Sequence, residues 1–200
     1  MLDSTFTGLV TGLTLIVAIG AQNAYVLRQG LARDHVGIVV AICTVSDVIL
    51  IVAGVSGIGT IVEKAPWAID VVRWFGVAFL TWYGVSTLLR ARRAEALHAA
   101  HGGSTGRRGI ALRALALTWL NPHVYLDTVL LLGSIANHEG PTGRWWFALG
   151  ACVASTLWFC GLGYGARLAG RVLASPRAWQ VLDVLIGLTM LAIAAKLATG

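Results

Sequence analysis

Six long apolar segments constrain this chain more than anything else in it: Phe6 to Leu27, Val36 to Val62, Trp67 to Leu89, Ile110 to Ile135, Trp145 to Leu168 and Trp179 to Leu197. Each reaches the roughly 20 residues that a helix needs to cross the hydrocarbon core of a bilayer. None alternates apolar and polar residues in the manner of a membrane-spanning strand. Backbone groups in lipid must be satisfied within their own segment, so the spanning element is the helix. Composition agrees: 57% of residues are hydrophobic, mean hydropathy is +0.77 and 12% are charged, about half the charged share of a soluble domain. The expected fold class is an all-α membrane protein with six transmembrane helices.

A net charge of +6 and a pI near 9.8 would fit a nucleic-acid partner, but the basic residues sit beside the ends of the apolar segments, where they act as orientation signals. Eleven of the 15 Lys and Arg side chains fall on the side of the loops after segments one, three and five, and four on the other. The positive-inside rule puts the richer side in the cytoplasm and both termini outside. The N-terminus carries Asp3 and no basic leader region, and its apolar run continues to Leu27 without a cleavage site, which reads as a retained first span. Cys43, Cys152 and Cys160 all lie within predicted spans and give neither a disulfide framework nor a zinc spacing. No metal or cofactor is expected. The Gly54, Gly57, Gly59 and Gly161, Gly163, Gly165 clusters lack a strand-turn-helix context, so they read as helix-packing residues rather than a dinucleotide motif.

The long connection, Arg90 to Gly109, is rich in Gly and Arg and divides the chain into a first three-helix repeat at 1–93, a cytoplasmic linker at 94–107 and a second three-helix repeat at 108–200. An odd number of spans inverts the second repeat relative to the first. Inverted repeats are a transporter architecture, with the site near the midplane where broken helices of both halves meet.

Two polar islands mark such breaks. In the fourth segment, Asn121 and Pro122 lie ~16 Å in at the helical rise, close to the bilayer centre. Pro122 removes a backbone donor and frees a carbonyl near Thr118. Downstream, His123 and Asp127 share a helical face, with Asn121, Tyr125 and Thr128 on a neighbouring one. In the first segment, Gly20 loosens the helix beside Gln22 and Asn23, whose amides can bind an ammonium or a carboxylate. The bland reading of either island is amide glue between helices; two islands in corresponding segments favour a site.

Asp47 lies mid-membrane in the second segment, where a carboxylate costs roughly 2.5–3.5 kcal/mol on insertion scales and needs a partner or a wet cavity. Arg73 is the expected partner, either as a static pair or as one that breaks and re-forms during transport. Asp183 reads as an interfacial partner of Arg177 or Arg171, with a gate as the alternative. His123 is placed either to carry a proton or to serve as a hydrogen-bonded structural histidine.

The segments "GAQNAYVLRQGL", "SDV" around Asp47 and "WLNPHVYLDTVLLLGS" resemble the signature segments of the LysE-type exporters of basic amino acids, across essentially the whole chain. The resemblance implies a multi-pass bacterial inner-membrane protein that exports L-lysine and L-arginine, driven by the proton gradient and the membrane potential, with homo-oligomerisation left open. On that footing Gln22, Asn23, Asn121, Tyr125 and Asp127 are expected to bind substrate, Asp47, Arg73 and His123 to couple protons or form an ion pair, and Gly20 and Pro122 to break the helices. The alternatives are an exporter of neutral amino acids such as threonine or homoserine, a membrane thiol shuttle using Cys43 and Cys152, and an intramembrane enzyme using His123 and Asp127.

Overall fold

A computed structural model describes residues 1–17, 20–57, 66–92, 106–166, 168 and 176–199, and among these it is helical without strands. The predicted segments map onto helices, but two of them are not continuous. The first divides into α1 (Leu2–Ile16) and α2 (Ala21–Ala32), whose axes turn by 84°. The second gives α3 (Val36–Val55) and the third α4 (Pro66–Arg92). The fourth is α5 (Arg107–Trp119), a single turn α6 (Pro122–Val124), a π-helical stretch Tyr125–Leu131 and α7 (Leu132–His138). The last two are α8 (Gly140–Gly165) and α9 (Pro176–Thr199). Among the described residues, Val36–Val55, Gly140–Gly165 and Gln180–Thr199 are long and apolar enough to cross a membrane, and the bent α1–α2 pair brings the number to four. Most of the predicted linker, residues 94–105, lies outside the described residues.

Both breaks have local causes. At the second, Pro122 has no amide hydrogen to give Thr118, whose carbonyl instead accepts a bond from the Asn121 amide at 3.4 Å. Asn121 is extended, and its side chain caps the new helix by accepting from the His123 amide at 3.2 Å. At the first, Gly20 is extended (φ −117°, ψ 175°) and α2 restarts at Ala21.

The helices approach through residues without side chains. A Cβ on Gly8 of α1 would overlap the Phe147 carbonyl of α8, and one on Gly150 of α8 would overlap the Thr5 carbonyl of α1. Gly84 of α4 and Gly187 of α9 face each other, each carbonyl 3.1 Å from where the other's Cβ would stand. Gly76 of α4 leaves room for the Leu120 carbonyl at the second break. Such close crossings allow dispersion contacts between backbones, the main attraction left when lipid is as apolar as the helix face. The principal core joins Tyr25, Val39, Cys43, Tyr83, Leu117 and Met190.

Gly150→Val is expected to destabilise the fold by at least about 1–3 kcal/mol through overpacking. Gly161→Val, at a position where a Cβ meets nothing within 4 Å, is the control. Thermal unfolding in detergent should show the loss for the first and near-parity for the second; equal midpoints would refute the seam.

Candidate functional site

A cavity of about 360 Å³ opens where the two breaks meet. Its wall is built from Ile16 and Gly20 at the first break, Gln22 and Asn23 at the start of α2, Asp47 of α3, Asn121 and His123 at the second break, Asp127 and Thr128 of the π-helical stretch, Phe159 of α8, and Ile193 and Lys196 of α9. The two polar islands, a hundred residues apart in sequence, therefore face one space. A π-helical turn carries an extra residue per hydrogen-bonded loop and tends to occur at functional positions; here it carries Asp127.

The polar side chains divide into two groups. The first closes the breaks. Asn23 donates to the Ile16 carbonyl at 2.7 Å and accepts from the Trp158 indole at 3.2 Å. Tyr125 donates to the Trp119 carbonyl at 2.9 Å and is not among the cavity-lining residues, so it is tied to the break rather than turned into the site as expected from the sequence. Each half thus uses a side chain after its break to satisfy a carbonyl before it.

The second group has capacity left. Gln22 is 8% exposed, and its Nε2 has no hydrogen-bond partner among the described residues. Asp47 is 5% exposed and accepts from Ser155 Oγ at 2.9 Å. Among the described residues, neither the Asp127 carboxylate nor the His123 ring forms an ion pair or a side-chain hydrogen bond, and the two do not bond each other. These groups can accept from a cation, donate to a carboxylate or exchange a proton.

One expected pairing turns out otherwise. Asp47 does not pair with Arg73: its partner is the α8 hydroxyl of Ser155, while Arg73 donates through Nε to the Leu197 carbonyl and through Nη2 to the Ala198 carbonyl at 3.2 Å. The reason is positional, since unmet carbonyls at the end of α9 lie within reach of the guanidinium and attract a cation. Asp183 pairs with Arg28 of α2 at 2.9 Å in a largely buried bridge, side chains 18% and 7% exposed for Arg and Asp. Arg171 lies outside the described residues, as does the side chain of Arg177. Sequence reasoning missed Ser155 and Lys196, because a lone serine or lysine in an apolar helix carries no spacing signal. The three cysteines are free, and no cluster among the described residues could hold a metal ion.

An apolar, multiply spanning helical protein with a polar cavity between two broken helices has the architecture of a membrane transporter. The chain matches the LysE type translocator family over residues 13–200, and it belongs to that family: a transporter, not an enzyme. It is 40% identical over 219 aligned residues to the lysine exporter LysE of Corynebacterium diphtheriae, covering 95% of this chain and 96% of the relative. It is 43% identical over 199 residues to the arginine exporter protein ArgO of Enterobacter sp., covering 99% and 94%. No solved structure matches the chain.

Arg28→Met should leave the Asp183 carboxylate buried without its counter-charge and cost about 3–5 kcal/mol. Adding Asp183→Leu is expected to return most of that loss, because an apolar replacement of both partners is often near-neutral. Unfolding midpoints of the two variants check this, and an unchanged Arg28→Met would show the pair to be inert.

Proposed function

We propose that this protein exports the basic amino acids L-lysine and L-arginine across the bacterial inner membrane in exchange for protons. The observation that carries the reading is the cavity between the breaks, which offers the carboxylates of Asp47 and Asp127 with no counter-charge bonded to either. Carboxylates at membrane depth are costly unless matched by a cation, a proton or water. Cargo bearing two ammonium-type groups supplies that match. The relatives named as lysine and arginine exporters support the same substrate class.

In this reading the chain crosses the membrane six times as two inverted three-helix units, with both termini outside. Asp47 and Asp127 hold the cationic groups, and Gln22 donates to the cargo. Asn23, Asn121 and Tyr125 act on the site indirectly by holding the breaks at Gly20 and Pro122 in shape. Moving a cation outward against an inside-negative potential is uphill by ~2.3 kcal/mol per charge per 100 mV, so inward protons must drive it. His123, Asp47 and Asp127 are the carriers in reach of the cavity, whereas Arg73 serves the end of α9.

The test is efflux of labelled lysine, arginine and threonine from preloaded cells lacking their own exporters. Wild type is expected to export the two basic amino acids and not threonine, with a protonophore abolishing the gradient-driven part. Asp127→Asn is expected to reduce export at least about tenfold at equal membrane abundance, the scale of one charge-assisted contact. Export of threonine alone would replace this reading with that of a neutral amino-acid exporter, and an unaffected Asp127→Asn would remove that carboxylate from the site.

A further inference from the structure

Lys196 brings a positive charge to a cavity otherwise supplied with carboxylates, amides and an imidazole. It stands in the last turn of α9, where a lysine ordinarily satisfies the final carbonyls of its own helix and the negative end of the helix dipole. Other side chains share that task here. The Thr199 hydroxyl lies 3.1 Å from the Ala195 carbonyl and 3.3 Å from the Lys196 carbonyl, and Arg73 donates to the carbonyls of Leu197 and Ala198. The carbonyls of Lys196, Leu197 and Ala198 thus have side-chain donors other than the Lys196 ammonium. The ammonium itself forms no ion pair or side-chain hydrogen bond among the described residues.

We propose that Lys196 binds the α-carboxylate of the transported amino acid, and that Arg73 is a positioning residue that holds the end of α9 so that the ammonium stands over the cavity. This inference rests on the reading of the cavity as a basic amino-acid site and extends it to the anionic end of the cargo. The charges match. Two lining carboxylates against one ammonium leave the site one net negative charge, and a basic amino acid carries one net positive charge. Amides alone would give the carboxylate hydrogen bonds but no counter-charge, whereas an ammonium supplies both. The arrangement also separates amino acids from their decarboxylated amines, which share the side-chain cation and lack the group that Lys196 would bind.

The experiment measures exchange of labelled arginine by the full-length protein in liposomes, with unlabelled arginine or agmatine, the decarboxylated form, as competitor. Lys196→Met is expected to raise the half-inhibitory concentration of arginine about tenfold while leaving that of agmatine unchanged. Lys196→Arg should stay close to wild type, and Lys196→Glu should invert the order so that agmatine competes better than arginine. Arg73→Gln is expected to weaken arginine and spare agmatine, to a smaller extent than Lys196→Met. Parallel losses for both competitors would show a structural role and overturn the proposal, as would unchanged values or tighter arginine binding in Lys196→Met. Wild-type liposomes inert to both lysine and arginine would instead overturn the basic amino-acid reading itself, and the inference with it.

Discussion

Backbone polar groups have no water to turn to inside a bilayer, and that constraint governs this structure. Each helical break releases donors and acceptors in an apolar bundle, and here each is closed by protein and faces inward. Asn23 closes the first by donating to Ile16, Tyr125 closes the second by donating to Trp119, and Asn121 caps the helix that restarts after Pro122. The polar islands therefore do two things at once. Some of their side chains hold the breaks, which frees Gln22, His123 and Asp127 for the cavity between them.

Packing places these breaks opposite one another. The helices of the N-terminal half do not bundle among themselves alone: α1 runs along α8 and α4 along α9, each through a glycine seam. Arg28 and Asp183 add a buried ion pair between α2 and α9. A movement that pulled one half bodily from the other would part backbone contacts that have no side chains to give way. Movement that keeps each crossing pair intact leaves those seams undisturbed.

Much of this is legible in the sequence, for identifiable reasons. Apolar length locates the helices, and Gly20, Gln22, Asn23 and the Asn121-Pro122 pair locate the breaks, because a proline or paired amides at membrane depth are costly unless a break or a polar cavity accommodates them. Their places in the first and fourth segments give the expectation of a shared site, and the structure lines one cavity with both islands. Pairing is where the sequence misleads. Charge and depth match Asp47 with Arg73, yet rotation about the helix axis and the reach of a side chain decide partners, and neither is encoded in a single hydropathy pattern. Ser155 captures the carboxylate and the end of α9 captures the guanidinium. The π-helical stretch is equally invisible, since it changes the register of Asp127 without changing its neighbours in sequence. Lys196 gives no signal, because its meaning depends on which carbonyls around it are already satisfied.

The Asp47–Ser155 contact links fold to function. A hydroxyl can hydrogen-bond a buried carboxylate but cannot neutralise it, so the charge of Asp47 stays available to whatever enters the cavity. Had Arg73 formed the expected pair, that charge would be cancelled within the protein and the site would offer little to a cation. With Asp47 and Asp127 both lacking bonded counter-charges, an empty cavity holds uncompensated negative charge that water, a proton or a cationic cargo can relieve. In the proposed exchange, protons and cargo relieve the same charges in turn: occupancy by either would lower the affinity for the other, the mutual exclusion that an exchanger requires.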